Sequence, residues 1–290
     1  VSKLHETSRG DVLVLLAAFI WGVAFYFQKT AMSHIGPFLF VALRSVIAAV
    51  ALLPFALRER RRPRQASENV VPIAVVGGLV FLLASSVQQF GIVTATVINT
   101  GLLTSLYVVA TPFAFWVIER QRPSTAIWIS VGLAFFGVWG LSGGSFGNLS
   151  GGDVLVASSA VIWGVHIVVT GRSGRMAQPL TYTFVQFFVV AAVSLSLAIA
   201  FEPISLRAIG AASESILYLG LLSSALAYPI MAIALQYIPA TRASIMLSVE
   251  VLFSAAAGYV LLGERLPLIG WGGAAMILAA VLFVRARRQA

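Results

Sequence analysis

Gly10-Asp11-Val12-Leu13-Val14 runs on to Ala18 and Ile20-Trp21-Gly22-Val23, and 142 residues later Gly152-Asp153-Val154-Leu155-Val156 runs on to Ala160 and Ile162-Trp163-Gly164-Val165. Across the windows 10–23 and 152–165, ten of fourteen positions are identical, too many for two unrelated apolar segments. The chain therefore reads as a duplicated half, divided into residues 1–146 and 147–290. An internal repeat in a hydrophobic chain is the usual mark of a transporter built from two copies of one unit, with its site where the copies meet.

Of the 290 residues 59% are hydrophobic and 10% charged, and the mean hydropathy is +0.96; soluble domains carry about 25% charged residues. That balance defines an integral membrane protein. Apolar runs bounded by charge, Pro or Gly give spans at 11–31, 37–57, 70–90, 94–117, 124–142, 153–171, 180–201, 213–236, 241–262 and 267–285, each near the roughly 20 residues a crossing needs. The expected fold is all-α and polytopic, with ten transmembrane helices in two five-helix repeats. Because five is odd, the second copy enters from the opposite side, and the repeat is expected to be inverted. There is no cysteine, and His5, His34 and His166 are scattered, so no metal or cofactor is expected. Val1 is no initiator, which suggests a trimmed start, and Ser2 to Arg9 runs into a full-length span rather than reading as a cleavable signal.

The net charge of +9 would suggest nucleic acid in a soluble protein, but in a membrane its placement decides. With the N-terminus inside, the inner segments hold Lys3, Arg9, Arg58, Arg60, Arg61, Arg62, Arg64, Arg120, Arg122, Arg172, Arg175, Arg242, Arg285, Arg287 and Arg288, fifteen of nineteen basic residues. The outer segments hold Lys29, Arg207 and Arg265, and Arg44 lies within a span. Both termini are therefore expected in the cytoplasm, the membrane being the plasma (bacterial inner) membrane. The stretch Arg58-Glu-Arg-Arg-Arg-Pro-Arg64 reads as a stop-transfer anchor beside anionic lipid rather than a nucleic-acid patch. Ser142 to Gly152 reads as a linker. Within it Gly143-Gly-Ser145-Phe-Gly147 has nucleophile-elbow spacing without the strand-turn-helix context, and Asn148-Leu-Ser150 is a glycosylation match that matters only in a eukaryotic host.

Polar residues in a spanning helix must face protein, a cavity or a partner, so polar stripes at helical spacing mark inward faces. In the sixth span Ser159, Trp163, His166 and Thr170 share one face; their repeat equivalents in the first are Ala17, Trp21, Ala24 and Gln28. Trp163 either stacks on a substrate or packs, and Trp21 reads as packing. Span four carries Thr96, Thr100, Thr104, Tyr107 and Thr111 with Asn99 beside them, and Pro112 is expected to kink it, freeing a carbonyl one turn earlier. Ser85, Ser86, Gln88 and Gln89 in span three, Ser223, Ser224, Tyr228 and Pro229 in span eight, and Thr241, Ser244 and Ser248 in span nine add polar groups. Spans five and ten carry Gly132, Gly137, Gly140, Gly270, Gly273 and Ala274 instead, the pattern of peripheral packing helices. Two charges lie at depth: Arg44, whose repeat equivalent is Gln186 in span seven, and Glu250. Glu250 reads as a ligand for an amine, a carrier of a coupling proton, or a structural group hydrogen-bonded or paired with Arg44, the last being preferred. His166 reads as a hydrogen-bonded lining residue rather than a proton relay. The candidate cavity set is thus Trp163, His166, Trp21, Asn99, Thr100, Tyr107, Gln88, Tyr228, Ser244 and Gln186, with Arg44 and Glu250 as its intramembrane charges.

From span eight onward, Leu219-Gly-Leu-Leu-Ser-Ser-Ala-Leu-Ala-Tyr228, then Ala240-Thr-Arg-Ala-Ser244, then Ser248-Val-Glu250-Val-Leu-Phe-Ser-Ala-Ala-Ala-Gly258-Tyr-Val-Leu-Leu-Gly263-Glu264 resembles the second half of the drug/metabolite transporter superfamily, EamA type. Arg44 after Pro37, and Glu119 closing span four as Glu264 closes span nine, fit the same pattern. The resemblance covers the whole chain and is nearest to the YddG-type bacterial exporters of aromatic and other amino acids. It implies secondary export, with helices one to four and six to nine around the cavity and five and ten outside. Many such relatives carry Pro after the helix-nine Glu, where this chain has Val251, so that family signal for a break is missing.

Absent groups narrow the cargo further. Nucleotide sugars and other phosphate esters would need several Arg or Lys at depth, and only Arg44 is there. A lining of Thr, Ser, Asn, Gln, Tyr and Trp suits a small zwitterion, so amino acids, aromatic ones included, or a related amphipathic metabolite are the expected small-molecule partners. Lipophilic cations, held by Glu250 and aromatic rings, come second. A channel would need a ring of ligands in an oligomer, an enzyme would need paired acid and base groups at depth, and a receptor would need a soluble sensing domain. None is legible. Membrane lipid is the surrounding partner, a coupling proton is a candidate, no nucleic acid is expected, and one chain suffices for alternating access around the repeat junction.

Overall fold

The computed structural model describes residues 2–61, 69–145, 149–174, 176, 178–263, 265 and 268–286, with side chains from residue 6 onward. Gly147, Asn148, Glu264 and the basic residues Arg62, Arg64, Arg175, Arg287 and Arg288 lie outside the described residues. The apolar runs become α1 (Ser2–Ala31), α2 (Pro37–Arg60), α3 (Val71–Ile92), α4 (Val97–Glu119) and α5 (Thr125–Leu141) in the first half. The second half holds α6 (Gly151–Gly174), α7 (Pro179–Phe201), α8 (Ser213–Ala234), α9 (Ala240–Leu262) and α10 (Leu268–Ala286). A short turn of helix, Leu206–Ala211, precedes α8. Among the described residues nine helices are long and apolar enough to cross a membrane, and α5, with 17 residues, is a shorter apolar one. The chain is an all-α polytopic membrane protein.

The packing repeats when the first five helices exchange with the last five. α3 lies along α6 as α8 lies along α1; α4 meets α6 as α9 meets α1; α3 meets α7 as α8 meets α2. The contacts of α2 with α7, α4 with α9 and α5 with α10 map onto themselves. Small residues set the last of these, for a Cβ on Gly137, Gly140 or Gly273 would strike the backbone of the facing helix, while Gly132 faces open space. Lys29, near the C-terminal end of α1, donates to the carbonyls of Ile92 and Val93 at 3.0 and 2.9 Å. Gly91 in that same turn abuts the backbone of Gly152 at the start of α6. The end of α1 and the start of α6 therefore share one end of the bundle, and Asp11, about 27 Å back along α1, lies toward the other.

α2 and α7 cap one another. Each begins with Pro at a first-turn position, where the missing N–H costs nothing. The remaining free amides are met by an acid from the other helix. Glu202, just past α7, accepts from the amides of Phe38 and Leu39, both at 2.8 Å, and Glu59, in the last turn of α2, accepts from those of Leu180 and Thr181 at 3.3 and 2.6 Å. A carboxylate at a helix N-terminus satisfies orphan donors and the helix dipole together. Within the basic stretch at Arg58, the residue with a defined structural task is thus the acid.

Two helices are interrupted at equivalent points. α4 is continuous over Val97–Thr104 and again over Tyr107–Glu119, and α9 over Ala240–Leu247 and Glu250–Leu262. At these points amides turn to carbonyls three residues back, Leu106 to Leu103 and Ser248 to Ile245, both 3.2 Å, and Val249 to Met246 at 3.4 Å, while the Ser105 amide keeps the Gly101 carbonyl four back. The serine hydroxyls add bonds to backbone carbonyls of the preceding turn, Ser105 to Gly101 at 2.8 Å and Ser248 to Ile245 at 2.6 Å, a local competition that loosens a helix. The interruption in α4 lies well ahead of Pro112 rather than one turn before it, and α9 is interrupted with Val251 in place of Pro. The repeated Trp-Gly pair meets these sites. A Cβ on Gly22 would strike Glu250 and Phe253 of α9, and one on Gly164 would strike Ala110 and Thr111 of α4, so glycine is what lets α1 and α6 approach so closely. α8 departs from its counterpart α3 by widening to π geometry over Tyr218–Ala227, ahead of Pro229, whose lost N–H frees a carbonyl.

Candidate functional site

A cavity of about 630 Å3 lies between the halves, lined by residues of α1, α2, α3, α4, α6, α8 and α9. Its lining repeats as the fold does. Trp21 and Trp163, Phe25 and Ile167, and Gln28 and Thr170 are equivalent at an offset of 142, and Thr104 and Leu247, and Tyr107 and Glu250, at 143. Ten of the sixteen lining residues fall in these five pairs, so the cavity straddles the junction of the copies. Tyr107 and Glu250 are the first residues after the two helix interruptions, which is how they come to equivalent positions in the wall.

Eight of the twelve residues nominated from sequence line this cavity: Trp163, His166, Trp21, Tyr107, Gln88, Tyr228, Arg44 and Glu250. The other four sit elsewhere. Gln186 stands behind the wall, its Oε1 2.9 Å from His166 Nε2. Thr100 and Ser244 turn back on their own helices, bonding the carbonyls of Thr96 at 2.7 Å and Thr241 at 2.9 Å. Asn99 donates to Asp153 Oδ1 at 3.2 Å. The lining residues outside the nomination are Phe25, Gln28, Thr104, Ile167, Thr170, Ser223, Met231 and Leu247. Gln28, Thr104, Thr170 and Ser223 stood on polar stripes already visible, and the repeat offset points from Thr170 to Gln28. The apolar four carry no signal that separates them from core.

One wall is aromatic. Tyr228 lies 4.6 Å from Trp21 and 6.4 Å from Trp163 between ring centroids, the latter pair stacked, and Phe81 meets Trp163, His166 and Tyr228 edge-on at 5.1 to 5.6 Å. Trp21 Nε1 donates to the Ser223 carbonyl in the π segment at 3.2 Å, whereas Trp163 Nε1 is buried with no acceptor. Gln88 Nε2 donates to Thr104 Oγ1 at 2.7 Å, and Thr170 Oγ1 lies 3.0 Å from the Tyr182 hydroxyl.

The two charges do not pair. Arg44 donates from Nε to Ser224 Oγ at 3.1 Å and from Nη2 to Ser223 Oγ at 3.5 Å, and its guanidinium carbon stands 5.7 Å from the centre of the Phe81 ring. Glu250 and Tyr107 interact electrostatically, yet Glu250 Oε1 and the Tyr107 hydroxyl both lack a hydrogen-bond partner of ordinary length. An Arg44–Glu250 ion pair is absent among the described residues, which removes that structural reading of Glu250.

Charged and polar clusters close the bundle on either side. Toward one end Arg242 makes a two-pronged contact with Asp11, Nε to Oδ1 at 3.1 Å and Nη2 to Oδ2 at 2.8 Å, with Arg285 3.6 Å from Oδ2. Arg172 pairs with Glu119 at 2.6 Å and donates to the Ile118 carbonyl. Toward the other end Asp153 receives Asn99 on Oδ1 and both the amide and hydroxyl of Ser150 on Oδ2, at 2.8 and 2.9 Å. Among the described residues there is no group of three or more His, Asp or Glu that could hold a metal ion.

A bundle of apolar helices folded as two like halves around a polar and aromatic cavity is the architecture of a membrane transporter. The family model for the EamA-like transporter family matches twice, at residues 8–143 and 150–286, and the chain belongs to that family. An uncharacterized transporter of Archaeoglobus fulgidus is 28% identical over 282 residues, 96% of this chain and 86% of that one. The threonine/homoserine exporter RhtA of Salmonella typhimurium is 31% identical over 240 residues, 78% of this chain and 74% of that one. A solved crystal structure superposes with a TM-score of 0.77 at 18% identity, covering 97% of this chain and 98% of the other, a likeness of fold. The chain is accordingly a multi-pass membrane transporter.

Proposed function

We propose that this protein is a secondary exporter of small zwitterionic amino acids that works by alternating access of two inverted five-helix repeats, with both termini in the cytoplasm. One observation carries the reading: at the repeat junction, a single cationic and a single anionic side chain share a cavity whose other lining groups are neutral. Phosphate esters need several cationic groups at depth, and this cavity offers only Arg44. A small amino acid matches the charge balance, and the hydroxyl-bearing cargo named for RhtA is of that kind. Aromatic amino acids fit less well, because Trp163, Tyr228 and Phe81 already pack on one another.

The inverted arrangement is supported by the exchange symmetry of the helix contacts, by the two family matches and by the opposite placement of Asp11 and the start of α6. The cytoplasmic termini, in a bacterial inner or equivalent plasma membrane, rest on the distribution of Lys and Arg. One chain supplies the whole lining of the cavity, so a monomer is sufficient. The aromatic wall beside Glu250 favours a second reading, a lipophilic-cation exporter.

Counterflow in proteoliposomes separates the two. Vesicles preloaded with unlabelled L-threonine are expected to accumulate labelled threonine and not a labelled lipophilic cation. Accumulation of the cation alone would replace the amino-acid reading with the second one.

A further inference from the structure

Arg44 and Glu250 face the same cavity, are 4% and 3% exposed, and are not paired with each other. Two buried ionisable groups of opposite sign left apart are costly in their charged forms, because each has lost its water without gaining a counter-charge. Arg44 has the neutral hydroxyls of Ser223 and Ser224, and Glu250 Oε1 has no partner. Each pole is nevertheless prepared for its charge. Glu250 opens the segment Glu250–Leu262, and the dipole of that segment favours an anion at its start. Arg44 is backed by the face of the Phe81 ring, which stabilises a cation. Both poles line the cavity at the repeat junction, and Tyr228, in the same lining, interacts electrostatically with each.

We propose that Arg44 and Glu250 are the two poles of a zwitterion site, in which the ligand itself supplies the missing ionic partners. The carboxylate of an α-amino acid is received by the Arg44 guanidinium with the Ser223 and Ser224 hydroxyls. The ammonium donates to Glu250, and the Tyr107 hydroxyl lies beside that pole. With both ends held, the side chain points to the remaining wall, where Trp163 Nε1 is buried without an acceptor and donates to a side-chain hydroxyl. A cation alone would pair Glu250 and leave Arg44 repelled, an anion alone the reverse; only a molecule with both charges supplies an ionic partner to both poles. The inference rests on the amino-acid reading above and adds the polarity of the ligand.

Competition against labelled threonine in the wild-type counterflow assay tests this without any variant. L-Threonine methyl ester lacks the carboxylate and N-acetyl-L-threonine lacks the ammonium. Each is expected to compete at least about tenfold more weakly than threonine, the size of one lost charge-assisted hydrogen bond. Glu250→Gln should then shift preference toward the N-acetyl compound and Arg44→Gln toward the ester, in variants that elute monodisperse. Equal competition by either analogue and threonine in the wild type overturns the proposal, as does a shift of both analogues in the same direction in both variants. Exchange of a lipophilic cation with no exchange of any amino acid overturns the amino-acid reading itself, and the two poles with it.

Discussion

Asp11 and Asp153 stand at the same position of the repeated Gly-Asp-Val-Leu-Val, yet they close the two ends of the bundle by different chemistry. Asp11 lies inside α1, is 1% exposed, and gives both oxygens to Arg242 with Arg285 nearby. Asp153 lies in the first turn of α6, where Ser150 occupies one oxygen as a local cap and Asn99 the other. Asn99 and Arg242 are equivalent at the 143 offset of the helix interruptions, so one substitution in one copy separates a buried ion pair from a neutral contact. Two halves inherited from one unit can thus hold their ends with unequal strength. In the alternating-access cycle proposed above, that inequality would bias which end opens.

The largest expected effect is at the charged end. Arg242→Ala removes the two-pronged partner of Asp11 and leaves it only Arg285 at 3.6 Å, which should cost about 3 kcal/mol of stability, the low end for a broken buried pair, whereas Asn99→Ala should cost about 1–2 kcal/mol. Thermal unfolding of the two purified variants checks this, and equal losses would erase the distinction between the ends. Next comes the graft. Asn99→Arg gives Asp153 a charged partner, and it is expected to raise thermal stability while slowing threonine counterflow about tenfold, or roughly 1.4 kcal/mol of extra closure. Unchanged flux in a stabilised variant would show that this end does not limit the cycle. Smallest and most even are the mutual caps of α2 and α7. Glu59→Gln and Glu202→Gln should each cost about 1 kcal/mol and by similar amounts, since both acids meet two helix-start amides in the same way. A large difference between them would extend the asymmetry of the ends to the α2–α7 pair.

Much of this was legible in the residues, but unevenly. The apolar runs place nine of the ten helices within a few residues of their observed ends, because hydrocarbon thickness and backbone hydrogen bonding leave a chain this apolar little choice, while α1 continues into the polar head and begins at Ser2 rather than at 11. The Trp163 face of α6 and the mid-helix Arg44 and Glu250 do line the cavity. Asn99, Thr100 and Ser244 share the same periodic signal and line nothing there, since a stripe marks a face but not whether its hydroxyl or amide turns to a neighbour, to its own backbone or to open space. The α9 interruption had no proline to announce it; the paired serines 105 and 248 carried that information, visible only once the copies are aligned through their breaks.

By itself the sequence determined the duplication, the helix positions and the chemistry at membrane depth, because each follows from composition and local periodicity. Tertiary structure alone decided the partners: that Arg242 reaches Asp11 across 231 positions, that Glu59 and Glu202 cap each other's helices, and that Arg44 and Glu250 share a cavity without pairing. Those choices depend on how one half lies against the other, and no local pattern in either half encodes that contact.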